Sequence, residues 1–280
     1  MLTYAQQYFL SRYKDVSSSV WNETIDKVFE SINRFVTSTG CTPIVIGLGS
    51  MTPLKEYIDL NYIDGLAILG GGSVYYSGLY GPSKNDLEKI KAMPGIENVV
   101  SKQEFIDEFG GSPDFIRRFP DYLLISKEGY TFKGYGGMGR PMYNLPAKCD
   151  EIPVHTCLNT DSLDSLTDIK DLIVKGAPSK KIALIILEGI GIDDFRLDHI
   201  KVQNKANWFI YTQSENQCLA ITTGKHLQHN NYPPGYRYYI EDGETKKYPF
   251  TGPFDHIPND TIGRELKSKY RLKSAAVGNR

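Results

Sequence analysis

Apolar residues recur every three or four positions at Trp21, Ile25, Val28, Phe29, Ile32 and Phe35, and that spacing predicts one amphipathic helix across residues 21–36. Ser17, Ser18 or Ser19 is available to cap its start, and Gly40 follows its end. The period then changes. Residues 42–50 form a short apolar run closing on Gly47, Leu48, Gly49 and Ser50, as a buried strand entering a loop would. Residues 64–73 repeat the design, ending on Gly70, Gly71, Gly72 and Ser73. Further apolar runs predict strands at 122–126, 152–157, 182–187 and 208–212, with helices at 82–93, 102–109 and 163–175.

Strands that are apolar throughout and alternate with helices point to an α/β fold, a mostly parallel sheet with helices on both faces. The alternation fades after residue 207, where tyrosine-rich stretches such as 232–243 predict antiparallel ribbons. The expected organisation is an N-terminal helical segment (1–40), an α/β core domain (41–207) and a small β-rich, tyrosine-rich C-terminal appendage (208–280). Residues 110–146 are dense in Gly and Pro and too long for a simple connector.

Lys and Arg total 32 against 33 Asp and Glu, a net charge of -1, so no long-range field draws the chain to polyanions and there is no strong nucleic-acid signal. No window holds the ~18 consecutive apolar residues of a spanning helix, so no membrane partner is expected. The first residues lack the pattern of a secretory signal, and a cytoplasmic location is the expectation. Cys41, Cys149, Cys157 and Cys218 are spaced like neither a zinc motif nor a redox pair and read as small buried hydrophobes.

Three glycine loops follow apolar strands: Gly47 to Ser50, Gly70 to Ser73 and Glu188 to Gly191. Glycine admits close backbone approach, successive N–H groups at such turns form anion sites, and open α/β sheets bind ligands beyond the carboxyl ends of their strands. Glycine after a strand is also an ordinary turn residue, and none of the loops completes a dinucleotide or P-loop fingerprint. Arg140, within the glycine-rich run 134–141, has the bidentate geometry to close over a phosphate. Beyond the third loop, Asp193, Asp194 and His199 form the strongest general acid or base cluster, although carboxylates opening a helix would explain Asp193 and Asp194 without chemistry. His226 and His229 lack a third metal ligand, and His155 reads as a core residue. The sequence specifies no cofactor and no metal site.

In chain order, the segments 70–78, 144–156 and 181–192 resemble the macrodomain family, the ADP-ribose-binding α/β/α module: a triple glycine, a Leu-Pro-Ala-Lys strand ending in His-Thr, and an apolar strand running into Glu-Gly-Ile-Gly. The resemblance implies that Gly70, Gly71 and Gly72 line a distal ribose, and Gly189, Ile190 and Gly191 a diphosphate. The family's hydrolytic asparagine has no counterpart, because Gly65 to Leu69 replaces the stretch that bears it. A second reading starts from Gly49 and Ser50 with Asp64 downstream, which resembles nucleotidyltransferases of the polymerase-β type. Tyr62 stands where the partner carboxylate for two Mg²⁺ ions should be, and the rival pair Asp86 and Glu88 falls on an expected helix. A third is a non-enzymatic interaction or structural protein of a virus or mobile element, built on the tyrosine-rich C-terminal region. The leading expectation is an enzyme or sensor that binds, and in the enzyme case turns over, a small-molecule nucleotide such as ADP-ribose or an NAD-derived ligand. Whether it is a hydrolase or a transferase is left open by the sequence.

Overall fold

The computed structural model describes residues 19–64, 66–69, 75–133, 142–204, 213–229, 238–241, 244–247 and 261–274. The 3.6-residue apolar spacing forms the helix α1 (Ser19–Thr39), which buries Ile25, Phe29 and Ile32. Then come β1 (Thr42–Gly47), β2 (Met51–Pro53), β3 (Glu56–Ile58), β4 (Leu66–Leu69), β5 (Tyr76–Tyr80), α2 (Lys84–Lys91), β6 (Ile96–Ser101), α3 (Lys102–Phe109), α4 (Pro113–Arg118), β7 (Tyr122–Ser126) and β8 (Tyr130–Phe132). The remainder is β9 (Asn144–Pro146), β10 (Glu151–Thr156), α5 (Ile169–Gly176), β11 (Ile182–Leu187), β12 (Ile200–Gln203), α6 (Gln213–Thr223), β13 (Tyr238–Glu241), β14 (Glu244–Lys247) and α7 (Ile262–Tyr270).

These strands do not form a mostly parallel sheet. One four-stranded sheet has the order β11-β1-β10-β12 and a second the order β4-β5-β7-β6. In the first, β1 runs parallel to β11, but β10 is antiparallel to both β1 and β12. The second is antiparallel throughout. The apolar runs misled because burial on two faces is not confined to parallel sheets. In β7, Leu123 and Ile125 pack into an aromatic cluster with Phe105, Phe115 and Phe119, while the intervening Leu124 packs with Leu79 and Ile90 on the other side. An antiparallel strand covered twice is as continuously apolar as a parallel one.

The first sheet is covered in the same alternating way. Ile44 and Ile46 of β1 pack with Ile169, Ile173 and Ile221 of α5 and α6, whereas Val45 faces Ile25, Phe29 and Ile32 of α1. The described residues of the C-terminal region are not mainly β either. β13 and β14 form an antiparallel hairpin, but α6 occupies residues expected to be ribbon and α7 follows. The segment 208–212, expected as a strand, lies outside the described residues. α6 escaped detection because it lacks a polar stripe: Cys218, Ala220 and Ile221 enter the core of the first sheet and Leu219 that of the second. It thus contributes to both cores.

Candidate functional site

Because β1 and β11 are parallel, both carboxyl ends emerge at one edge of the first sheet, and the antiparallel β10 brings its amino end to the same edge. The end of β12 joins them through the Glu151 and Gln203 pairing. Four segments distant in sequence therefore meet there. The Leu48 N–H donates to the Leu187 carbonyl at 2.9 Å, the Gly49 N–H to Ile190 at 3.2 Å, the Ala147 N–H to Ser50 at 2.8 Å and the Asn204 N–H to Asp150 at 2.7 Å. In open α/β sheets ligands bind beyond this end of the parallel strands.

Two glycines make that convergence possible. A Cβ on Gly47 would lie 2.4 Å from the Ile190 carbonyl oxygen and 2.9 Å from Pro153 Cγ, and one on Gly191 would lie 2.8 Å from the Ser50 nitrogen. The first and third glycine loops are thus pressed against each other, and this contact accounts for Gly47 and Gly191 before any ligand is considered. Ile190 is fully buried and packs with Phe29 and Phe195 under α1. Its side chain anchors the loop that carries Gly189 and Gly191, and so belongs to the core.

Behind the loops lies a polar network that no sequence motif announces. Gln217 of α6, wholly buried, donates through Nε2 to the Leu48 carbonyl at 2.9 Å and to Asn204 Oδ1 at 3.0 Å. Asn204 in turn donates through Nδ2 to the Cys149 carbonyl at 3.1 Å and to its Sγ at 3.4 Å, and the Cys149 thiol lies 3.9 Å from the Leu48 carbonyl. The chain of bonds orients both amides. Cys149 O requires a donor, which makes Asn204 Oδ1 the acceptor, which requires Gln217 to present Nε2. Gln217 Oε1 is left as a buried acceptor with no hydrogen-bond partner among the described residues. An unsatisfied buried acceptor costs about 1–3 kcal/mol. Glu188, 1% exposed, places a carboxyl group at the same edge directly after β11.

The other expected site residues are distributed differently. Gly70, Gly71, Gly72, Ser73 and Arg140 lie outside the described residues. Asp193 is exposed, and no helix follows it: a turn at 192–194 leads on to β12, so a helix terminus does not explain these carboxylates. Arg196 Nε donates to Asp26 Oδ1 at 3.0 Å and Nη2 to Asn22 Oδ1 at 3.1 Å, which ties this turn to α1. Burial pushes the Asp194 carboxyl above its ordinary value, while Arg196 and a hydrogen bond from Trp21 pull it down. His199 places Nδ1 3.0 Å from the Leu197 carbonyl and packs edge-on against Phe195 at 5.2 Å. The contacts of Asp194, Arg196 and His199 thus run to α1 and to their own loop.

Asp64 sits on an exposed turn before β4 of the second sheet, while Ser50 leads out of β1 of the first. Asp86 lies in the first turn of α2, where Ser83 is the cap: the Ser83 hydroxyl donates to the Asp86 carboxylate and accepts from the Asp86 N–H at 3.1 Å. Cys149 and Cys157 are not joined by a disulfide. His155, in β10, places Nδ1 2.7 Å from the Asp198 carbonyl. Among the described residues no group of three or more His, Cys, Asp and Glu is placed to hold a metal ion, and no helix is long and apolar enough to cross a membrane.

Gln217, Asn204 and Cys149 are the site residues that sequence reasoning missed. Gln217 and Leu48 are 169 positions apart, and Asn204 and Cys149 are 55 apart, so no local spacing joins them. No protein-family model matches the chain, and no curated protein and no solved structure matches it.

Proposed function

We propose that the chain binds a small phosphorylated nucleotide, ADP-ribose or an NAD-derived ligand, at the edge of the first sheet where β1 and β11 end. The observation that carries the reading is the convergence there of two glycine loops, a buried carboxyl group at Glu188 and an oriented amide pair with one acceptor unused. General physics supports the location, since parallel strands present their ligands beyond their carboxyl ends. Buried polar groups that the fold leaves incompletely paired are the groups that ligand sites use for orientation. Binding, rather than turnover, is the function proposed, because Asp194 and His199 make their contacts with α1 and their own loop.

Thermal-shift and calorimetric titration with ADP-ribose, NAD, ATP and GTP, each with and without Mg²⁺, tests the reading. Ligand at 100 times its Kd stabilises the folded state by about 2.7 kcal/mol, and the midpoint rises accordingly. Absence of both heat and shift for every one of the four nucleotides refutes it.

A further inference from the structure

We infer that Gln217 reads the ligand's base by accepting a hydrogen bond at Oε1 from the 6-amino group of adenine, an inference that rests on nucleotide binding at this edge. The argument begins with the handedness of the amide. Both Nε2 hydrogens are committed, one to the Leu48 carbonyl at 2.9 Å and one to Asn204 Oδ1 at 3.0 Å. Turning the amide over would set Oε1 against two acceptors, one of which is held in its role by the Cys149 carbonyl. Gln217 can therefore offer only an acceptor to anything that meets its remaining face. That acceptor has no partner among the described residues, on a side chain with no solvent exposure.

The surroundings favour a flat, largely apolar donor over a charged one. Leu48 is 4% exposed and Cys218 2% exposed, and both pack in the core of the first sheet around α6. A phosphate brings only acceptors and would leave Oε1 unpaired, whereas an aromatic amine buries a ring and supplies the missing donor. Specificity follows from what the wrong ligand leaves unmade, because a site built to accept a hydrogen bond rejects an analogue that presents an acceptor at the same point. Adenine and hypoxanthine differ in that way, an amino group against a carbonyl at position 6. Since Gln217 is fully buried, the base reaches it only as the chain parts over this edge, and association is expected below the usual protein–ligand rate.

The test is a calorimetric titration of the wild-type chain with ADP and with IDP, repeated on Gln217→Met, which keeps the length of the side chain and removes the acceptor. The expected result is IDP binding at least tenfold more weakly than ADP to the wild-type chain, with the two affinities within about twofold of each other in the variant. Equal affinity for ADP and IDP in the wild-type chain overturns the inference and leaves nucleotide binding standing, and points to a buried water as the partner of Oε1. A preference for ADP that survives in Gln217→Met overturns the role of Gln217 alone. No binding of either nucleotide refutes the binding reading and this inference with it. Where Gln217→Met fails to fold, equal affinity of the wild-type chain for ADP and IDP still overturns the inference.

Discussion

The polar groups buried at the two sheets differ in where their partners come from. Within the second sheet two hydroxyls pair with nearby backbone oxygens: Ser126 Oγ donates to the Tyr130 carbonyl at 2.9 Å, and the Tyr80 hydroxyl donates to the Arg118 carbonyl at 2.6 Å. The apolar side is closed by aromatic rings, with Phe105 and Phe119 stacked at 4.2 Å. At the edge of the first sheet the polar groups are side-chain amides and a thiol drawn from distant segments, and one acceptor is unused. The second sheet is built as a scaffold. The first joins distant segments through an amide pair whose unused acceptor, on Gln217, is the feature the proposed site rests on.

The comparison predicts which changes act on stability and which on binding. Phe105→Ala removes a ring that is 1% exposed from the aromatic cluster, and unfolding by denaturant should show a loss of about 3–5 kcal/mol. Ligand affinity at a temperature where the variant is folded should be unchanged. A loss of affinity comparable to the loss of stability would mean that the two sheets are not separate in function. Gly47→Ala should cost about 1–3 kcal/mol, since its Cβ would meet the Ile190 oxygen at 2.4 Å and the loops must part. Here affinity should fall as well, because the displaced loop is the candidate site.

Smaller effects are expected at the turn after β11. Arg196→Ala breaks contacts with Asp26 and Asn22 that are open to solvent, and chemical denaturation should register less than about 1 kcal/mol. Asp194 gives a pH signature. Burial raises its carboxyl above the ordinary 3.8, so the folded state holds the proton more tightly than the unfolded chain. The stabilisation this provides is complete at pH below 3.8 and is lost as pH rises through the folded value. Asp194→Asn should therefore be slightly more stable at neutral pH, by under about 0.5 kcal/mol for this partly exposed group, and its stability should depend less on pH just above 3.8. A variant that is less stable at neutral pH would show that the bond from Trp21 outweighs the burial.

Much of the local structure is legible in the sequence, and the reason is physical. α1, β1, β11 and α3 are specified by nearby residues: the apolar period in α1, the continuous runs in β1 and β11, and the Ser101 and Glu104 capping box of α3. Strand direction is not local. Leu123, Leu124 and Ile125 read as a parallel strand because both their faces are buried, and only the aromatic cluster on one side and Leu79 on the other reveal an antiparallel one. The site divides in the same way. Gly47, Gly191 and Glu188 stand out as loop residues after apolar strands, but Gln217 lies in a helix without a polar face, and its partners are recognisable only once β1, β10 and β12 are side by side.

Hydrogen exchange measured with and without saturating ADP-ribose tests the central claim most directly, because it reads both sheets in one experiment. Slowed exchange at residues 48–50, 188–191 and 217–219, with no change across β5 and β7, is the predicted result. Protection confined to β5 and β7, or none at any of these segments while the ligand is bound, would contradict the assignment of the site to the first sheet.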